Sequence, residues 1–239
     1  MCQQCKTKPV YEFTNKRKVC GNCFIKWFEK KFLYTLRKFE MVKCGDVVGY
    51  FKGGGFRDVV LENCLGVIAG RGRVKIVGLT LRDSPAAHPN LLARYNHRLI
   101  AQYQILSRYF VEENLLRGKQ IGVGSLANNF KKSRAKQDKF KINRIAIPQT
   151  TDLIAYGVVN VIIKSDVKDL RNVKSVDKKI IRPLFLFLDK EVELYAKLKR
   201  LKFKKTKEKK DKVSDFVDGL ERKHPEIKWA VVQSWLKIN

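Results

Sequence analysis

The segment that decides the fold runs Val47-Val48-Gly49-Tyr50-Phe51-Lys52-Gly53-Gly54-Gly55-Phe56-Arg57-Asp58. Its first five residues form a short apolar run typical of a buried strand, and a helical pattern continues after the glycines through Leu61 and Leu65. A strand, a glycine turn and a helix in this order open a βαβ unit. The segment therefore predicts an α/β domain.

Further strands and helices alternate on both sides of this segment. We predict strands at 73–81, 120–126 and 144–147, helices at 91–116, 153–163 and 189–203, and a final helix that Ser214 caps and Pro225 ends. Alternating strands and helices build a parallel sheet with helices on both faces, and this α/β architecture is the predicted fold class.

Composition and charge indicate the class of partner. The chain has 239 residues, of which 51 are Lys or Arg and 23 are Asp or Glu, so its formal net charge is +28 at pH 7. Its 44% of hydrophobic residues excludes disorder throughout. The positive excess indicates a polyanionic partner, either nucleic acid or an acidic membrane face. The chain has no run of 18 apolar residues, and its opening residues lack the apolar stretch of a secretory leader, so we expect a soluble cytoplasmic protein.

Four cysteines near the start of the chain form two Cys-x-x-Cys pairs, Cys2 with Cys5 and Cys20 with Cys23. The two-residue spacer lets both thiolates of a pair reach one ion, and the fourteen residues between the pairs can fold back as a hairpin. This spacing predicts a tetrahedral zinc site. An iron–sulfur cluster is the alternative, because four thiolates also suit iron. Cys64 follows the glycine turn in a helical pattern and is predicted to be a buried apolar residue.

Three regions differ in composition and are the predicted domains. Residues 1–24 are rich in Cys, Lys and turn formers, and we predict a small zinc-binding module there, in which metal replaces a core. Residues 25–203 carry the α/β domain, and residues 204–239 a basic connector and a C-terminal helix. The α/β domain opens with an amphipathic helix that has a basic outer face and apolar residues at helical spacing, namely Phe24, Phe28, Phe32, Leu36 and Phe39.

Two basic segments are the predicted RNA contacts. The first lies between residues 131 and 144 and the second between residues 197 and 212. Interleaved aromatic residues such as Phe130 and Phe140 favour RNA over a merely solvated charged surface. Neither segment adjoins the broad apolar face that a membrane-binding helix needs. The predicted RNA-binding residues are Lys131, Lys132, Arg134, Lys136, Lys139, Lys141, Arg144, Lys204 and Lys205.

The glycine turn supports two interpretations. Consecutive glycines at 53–55 before a helix can form an anion-binding nest of backbone N–H groups, and a merely permissive turn is at least as common. The turn does not match the P-loop, because no Lys-Ser or Lys-Thr follows, and Asp58 stands where the dinucleotide fingerprint has its last glycine. His88, His97 and His224 show no ligand spacing, and no catalytic residue is predicted.

In combination, the cysteine quartet, the helix that begins near Cys23-Phe24 and the strand and glycine turn after Gly45-Asp46 resemble the PP-loop tRNA thiouridine synthetases. Arg182-Pro183-Leu184 and Lys190-Glu191-Val192 also resemble a segment of this family. Its enzymes exchange an oxygen for sulfur on tRNA uridine, and it includes the two-subunit cytoplasmic 2-thiolation complex of eukaryotes. The resemblance covers most of the chain, residues 82–143 matching poorly, and implies tRNA as a partner.

The catalytic motifs of that family are degenerate here. Catalytic members have Ser-Gly-Gly-x-Asp-Ser in the turn, where these residues hold the phosphates of ATP, whereas this chain has Gly53-Gly54-Gly55-Phe56-Arg57-Asp58. They also have Gly-His-Asn-x-Asp-Asp before the central helix, and of this motif Asp152 alone survives. Their mid-chain cysteines, which bind an iron–sulfur cluster or carry sulfur, have no counterpart, because no Cys follows Cys64.

These departures imply the non-catalytic second subunit of the thiolation complex, a pseudo-enzyme that binds tRNA and forms a heterodimer with a catalytic thiolase subunit. Gly53, Gly54, Gly55 and Asp58 then form a degenerate nucleotide loop. Two alternatives stay open at this point. One is an active ATP-dependent tRNA thiouridine synthetase with a diverged loop, and the other is an RNA-binding or ribosome-binding protein that reuses the scaffold.

Overall fold

The computed structural model describes residues 1–72, 74–79, 142–163, 176–177, 179–204 and 212–238. The strands are β1 (Tyr11–Glu12), β2 (Lys18–Val19), β3 (Val47–Phe51), β4 (Lys75–Leu79), β5 (Arg144–Ala146), β6 (Val176–Asp177) and β7 (Ile180–Ile181). The helices are α1 (Gly21–Lys38), α2 (Phe56–Ala69), α3 (Thr151–Ile163), α4 (Asp189–Leu198), α5 (Lys212–Lys223) and α6 (Ile227–Ile238). None of these helices is long and apolar enough to span a bilayer.

A five-stranded sheet in the order β4-β3-β5-β7-β6 forms the centre of the α/β region. β3 pairs in parallel with β4 on one side and with β5 on the other, β5 pairs in parallel with β7, and the short edge strand β6 runs antiparallel to β7. The carboxyl ends of β3 and β5 therefore border a topological switch point, which is where open α/β sheets bind ligands. The glycine turn follows β3 at that edge, and residues 147–150 follow β5 there.

Helix α1 joins the cysteine-rich start of the chain to the core. The Phe28 ring packs with its centroid 4.2 Å from that of Phe187 and 4.2 Å from that of Tyr195, which lies in α4. Helix α6 packs in turn against α3 and α5. The apolar spacing correctly predicts that Phe24, Phe28, Phe32 and Leu36 form the buried face of α1. Phe39, predicted with them, is the C-cap residue and only half-buried, and Thr35 is buried although it was not predicted.

Within the described residues most predicted elements are confirmed. β3 has the predicted bounds, α2 and α3 lie where the pattern places them, and Cys64 is buried in α2. β4 lies within the predicted strand at 73–81, and β5 is one residue shorter than predicted. Helix α4 ends at Leu198 because the chain turns at Arg200, whose φ is +55°. The elements predicted at 91–116 and 120–126 lie outside the described residues.

The prediction of a single final helix is wrong. Helix α5 already begins at Lys212, and Pro225 lies in the turn between α5 and α6. Proline ends the first helix because its ring clashes with the preceding turn, and the chain resumes as a second helix two residues later. Helix α6 buries Val232 and Trp235, which lie beyond the predicted end of the final helix.

Candidate metal centre and nucleotide loop

The first candidate site is the cysteine quartet. β1 and β2 form an antiparallel hairpin that pairs Tyr11 with Val19, and this hairpin brings the two Cys-x-x-Cys pairs together, as predicted. The four sulfur atoms all lie within 4.8 Å of one another, with Cys5 Sγ 3.2 Å from Cys20 Sγ and 3.6 Å from Cys23 Sγ. A Zn–S bond of about 2.3 Å places the sulfurs of a tetrahedral site about 3.8 Å apart. The quartet therefore fits a single metal ion.

The surroundings of the quartet make its thiols unequal. Cys20 is the N-cap of α1 and Cys23 lies in the first turn, where the positive end of the helix dipole stabilises thiolates. A hydrogen bond from Thr7, followed by bonds within the quartet, lowers the pKa of Cys20 to about 6. Burial, followed by hydrogen bonds to Cys20 and Cys5, raises the pKa of Cys23 to about 12. Metal binding at this site therefore requires the release of protons.

The hairpin of β1 and β2 is tied to the α/β core through the buried carboxylate of Glu191. The Tyr11 hydroxyl donates to Glu191 Oε1 at 3.3 Å, and Lys31 Nζ lies 3.4 Å from Oε2. The Lys31 ammonium also lies over the rings of Trp27 and Phe187, 4.7 and 4.6 Å from their centroids. Burial lowers the pKa of Lys31, and the charge of Glu191 opposes that shift. The hairpin, α1 and α4 thus share one buried polar cluster, here called the Glu191 cluster.

The second candidate site is the glycine turn, residues 52–55, at the carboxyl end of β3. Asp58, in the first turn of α2, folds its carboxylate back onto the turn, where the Gly55 N–H donates to Asp58 Oδ2 at 3.1 Å. A Cβ atom on Gly53 would lie 2.0 Å from the same oxygen, so the carboxylate needs a glycine at this position. Burial raises the pKa of Asp58, while the Gly55 N–H and Arg57 oppose the shift. The carboxylate occupies the place where a helix N-terminus would bind a phosphate oxygen.

The glycine turn is also covered by the segment that follows α4. The Lys204 N–H donates to the Gly54 carbonyl at 2.8 Å, and a Cβ on Gly54 would lie 3.3 Å from Lys204 Cδ. The Phe203 ring packs edge-on against Phe56, with the centroids 6.2 Å apart. The C-terminal segment therefore closes over the turn.

Charged residues beside the turn neutralise one another. The Arg57 guanidinium forms a two-pronged ion pair with the carboxylate of Asp189, with Nε 2.6 Å from Oδ1. The Thr150 hydroxyl donates to the same oxygen at 2.7 Å. The backbone N–H of Asp189 donates to Asp152 Oδ2 at 2.7 Å. This network bridges the switch point from α2 to the N-termini of α3 and α4.

Asp152, the surviving acid of the second motif, is bound by Lys228 of α6. Lys228 Nζ lies 2.7 Å from Asp152 Oδ1, 2.8 Å from Asp218 Oδ1 and 2.7 Å from Glu221 Oε2, and its side chain is 6% exposed. Burial acts to lower the pKa of Lys228, but hydrogen bonds to the carboxylates, that of Asp152 first, raise it overall. Burial and then the charge of Asp189 raise the pKa of Asp152. The chain itself thus supplies the counter-charge for Asp152.

The structure places two predicted RNA-binding residues at opposite edges of the sheet. Arg144 begins β5 at the edge remote from the glycine turn, with Nε 3.6 Å from Asp46 Oδ2. Lys204 is exposed beside the glycine turn. Their role in binding RNA stays a prediction. The other predicted contacts lie outside the described residues, namely Lys131, Lys132, Arg134, Lys136, Lys139, Lys141 and Lys205.

Two residues of the second site were not predicted from the sequence, namely Asp189, which pairs with Arg57, and Lys228, which pairs with Asp152. Arg57 and Asp189 are 132 residues apart, and Lys228 and Asp152 are 76 residues apart, so no local pattern joins them. Asp58 did carry a local signal, because an acid three residues after the N-cap is the position from which a side chain reaches back to the capping N–H.

Comparisons with known proteins bear on the fold. No protein-family model matches the chain. A tRNA(Ile)-lysidine synthase from Persephonella marina is 25% identical in an alignment of 194 residues that covers 74% of this chain, and the chain spans 40% of the length of that relative.

Solved structures align with nearly the whole chain. The U34-tRNA thiolase NcsA from Methanococcus maripaludis, solved with its 4Fe–4S cluster, aligns with a TM-score of 0.69 and 22% identity, over 99% of this chain and 86% of that one. An NH3-dependent NAD synthetase from Campylobacter jejuni, solved with nitrate, aligns with a TM-score of 0.37 and 14% identity, over 92% of this chain and 94% of that one. The likeness to NcsA shows that this chain shares the α/β fold of that protein, in agreement with its largely parallel sheet.

Proposed function

We propose that this chain is the non-catalytic subunit of a complex that 2-thiolates the wobble uridine of tRNA. In this role it binds tRNA, forms a heterodimer with a catalytic thiolase in the cytoplasm, and carries out no adenylation itself. The fold shared with a U34-tRNA thiolase supports the link to tRNA thiolation. The cysteine quartet and the strand-turn-helix segment, which resemble the tRNA thiouridine synthetases, support it independently.

The observation that carries the non-catalytic role is the carboxylate of Asp58 against the glycine turn. A catalytic member needs this turn open, because its backbone N–H groups hold the phosphates of ATP. Here the Gly55 N–H already donates to Asp58, and a phosphate at the same place meets a carboxylate of like charge. Lys204 and Phe203 leave still less room above the turn.

Two further features support the loss of chemistry. Asp152 is engaged by the buried ammonium of Lys228, so its carboxylate is already neutralised within the chain. The mid-chain cysteines of catalytic members, which bind an iron–sulfur cluster or carry sulfur, have no counterpart here, because no Cys follows Cys64. In the proposed complex the catalytic partner supplies them.

Zinc is the metal proposed for the quartet. Its four sulfurs lie within 4.8 Å of one another, as a single tetrahedral ion requires. A 4Fe–4S cluster has one thiolate on each of four separate iron atoms, which holds the sulfurs further apart. Zinc at this position fixes the hairpin to the N-terminus of α1 and supplies no redox chemistry.

Deletion of the chain from its native cell tests the proposed function. We expect wobble 2-thiouridine, quantified by mass spectrometry of tRNA nucleosides, to be lost and to return when the wild-type chain is supplied. The catalytic partner purified without this chain should thiolate tRNA poorly, and addition of the chain should restore the rate. Undiminished thiolation in the deleted cell contradicts the proposal.

Two measurements separate this role from the alternatives. Titration of the purified chain with Mg–ATP should show no binding at micromolar concentrations, whereas tight binding favours an active synthetase. RNA crosslinked to the chain in cells should be tRNA, whereas recovery of ribosomal RNA favours a ribosome-binding protein. Each of the three candidate functions therefore predicts a different combination of results in the deletion, the ATP titration and the crosslinking.

A further inference from the structure

The outer face of α1 carries a basic stripe that lies outside both predicted RNA-binding segments. At 3.6 residues per turn its members fall on one side of the helix, away from the face that buries the phenylalanines. At a rise of 1.5 Å per residue the stripe is about 18 Å long, enough to contact several phosphates of a nucleic-acid strand. The basic stripe consists of the exposed residues Lys26, Lys30, Tyr34, Arg37 and Lys38.

The four cations of the stripe have no acidic partner within the described part of the chain. The ion pairs of α1 there join Lys31 to Glu191 and Glu29 to Lys199. Arg37 Nε donates to a backbone carbonyl one turn earlier, at 3.3 Å. The charges of the stripe are therefore available to an external anion.

The surroundings of the stripe add to its positive field. Residues 1–38 contain ten Lys or Arg and two Glu, which gives a net charge of +8 from ten minus two. Both glutamates already contact lysines, Glu12 at 3.4 Å from Lys18 and Glu29 at 3.0 Å from Lys199. A surface with this imbalance attracts polyanions over a distance of about a Debye length.

Tyr34 indicates which polyanion the stripe fits. Its side chain is 49% exposed, and Lys38 Nζ lies 5.6 Å from the ring centroid. An exposed ring among cations gives a nucleobase a face to stack on while the cations bind the flanking phosphates. A helix that lies on a membrane instead needs a broad apolar face, and Tyr34 is the one exposed large apolar residue of α1, all of which the structure describes.

We propose that the basic stripe of α1 is an RNA-docking surface, on which its four cations bind phosphates and Tyr34 stacks on an unpaired base. That this RNA is tRNA rests on the proposed function. The cysteine quartet holds the N-terminal end of α1, and the Glu191 cluster holds its inner side. The stripe is thus presented on a fixed element, so that binding needs no ordering of the protein backbone.

The test compares two charge-matched variants of the full chain. The stripe variant combines Lys26→Gln, Lys30→Gln, Arg37→Gln and Lys38→Gln. The control variant combines Lys75→Gln, Lys179→Gln, Lys223→Gln and Lys237→Gln, all of them at exposed positions outside the two predicted RNA-binding segments. Both variants lose four positive charges. Their binding to an unmodified tRNA transcript is measured by fluorescence anisotropy between about 50 and about 200 mM salt.

The stripe variant should bind tRNA about tenfold or more weakly than the control variant. The slope of log affinity against log salt concentration should be less steep in the stripe variant than in the control variant, by about three. Tyr34→Ala should weaken binding about tenfold without changing the salt slope, and Tyr34→Phe should bind as the wild type does. Unchanged metal content and circular dichroism check that the variants fold.

A stripe variant that binds within about twofold of the control variant overturns the proposal. If poly-glutamate displaces the wild-type chain from RNA as effectively as tRNA does, the stripe binds acidic chains in general and the proposal is likewise overturned. A wild-type chain that binds no tRNA at all removes the RNA partner of the proposed function too, so the two failures are distinguishable.

Discussion

The cysteine quartet and the glycine turn differ in how their polar groups are satisfied. At the quartet, four sulfurs of one kind converge within 4.8 Å, and deprotonated thiols at that separation need a cation between them. At the glycine turn, Asp58 is bonded to the Gly55 N–H, Arg57 is paired with Asp189, and Asp152 is paired with a lysine. Converging like groups are typical of a site that takes a ligand, whereas internally paired opposite groups are typical of a site that has none. The cysteine quartet is therefore open to a ligand, whereas the polar groups at the glycine turn are paired with one another.

The largest effect on stability is expected from the loss of one sulfur of the cysteine quartet. Cys5→Ser removes the sulfur that lies close to both Cys20 and Cys23, so the bound metal should be lost. The hairpin should then unfold, because structural zinc contributes about 10–16 kcal/mol in small zinc-finger peptides. Elemental analysis of the purified variant measures the metal per chain.

Cys44→Ser is the control for this experiment, because Cys44 is exposed and lies outside the quartet. It should keep the metal content of the wild type. Equal metal content in the Cys5→Ser variant and in this control shows that the quartet holds no metal, and the contrast between the two sites then disappears.

Removing the ammonium of Lys228 beside the glycine turn should destabilise the protein less than losing the metal site, but still substantially. Lys228→Met removes the buried cation that Asp152, Asp218 and Glu221 share, which should lower the free energy of unfolding by about 3–5 kcal/mol. Urea denaturation measures the change. Lys223→Met, at an exposed position on α5, should cost no more than about 0.5 kcal/mol. Equal losses in the two variants mean that the buried ion pairs contribute nothing to stability.

The two sites also differ in how far the sequence predicts them. The candidate metal ligands follow from spacing alone, because two residues between the cysteines of each pair allow both sulfurs to reach one ion. The strand Val47–Phe51 and the turn after it are likewise local patterns. For such features the information lies within a few residues of the chain.

The pairing at the glycine turn depends on tertiary contacts and could not be predicted in this way. The sequence shows that the catalytic serines are absent, but it does not show that Lys228 approaches Asp152 across 76 residues. The end of α4 at Leu198 and the division of the C-terminal helices likewise depend on where the chain folds back on the core. Long-range ion pairs have no periodicity by which a sequence pattern could predict them.

The dependence of stability on alkaline pH tests the packing that joins the two sites. The Tyr195 hydroxyl lies 3.0 Å from Glu29 Oε1 and 3.1 Å from Asn63 Oδ1, and sharing its proton with these acceptors ties α4 to α1 and α2. Burial, followed by the charges of Cys64 and Glu29, raises the pKa of Tyr195 above its ordinary value of 10.0. Above pH 10 the unfolded chain ionises this tyrosine while the folded chain keeps the proton. The free energy of unfolding should therefore fall with rising pH, by at most about 1.4 kcal/mol per pH unit for this group.

Tyr195→Phe keeps the ring against Phe28 and removes the titrating hydroxyl. We expect a loss of about 1–2 kcal/mol at pH 7, from the missing hydrogen bonding of the hydroxyl, together with a shallower decline above pH 10. Urea denaturation between pH 7 and about pH 11 measures both. Tyr34→Phe, at an exposed position, should keep the wild-type decline. An unchanged decline in the Tyr195→Phe variant contradicts the assignment.

The smallest change in stability should come from reopening the glycine turn. Asp58→Ser removes the carboxylate from the Gly55 N–H and should cost about 1 kcal/mol, because one helix-capping contact is lost. The freed N–H groups at the N-terminus of α2 should then bind pyrophosphate, which calorimetric titration detects, whereas the wild type should bind none at millimolar concentration. Asp215→Ser, at an exposed position in α5, makes the same change in net charge and should not create binding. If the wild type binds pyrophosphate as well as the Asp58→Ser variant does, the carboxylate does not close the turn, and the glycine turn belongs with the cysteine quartet as an open site.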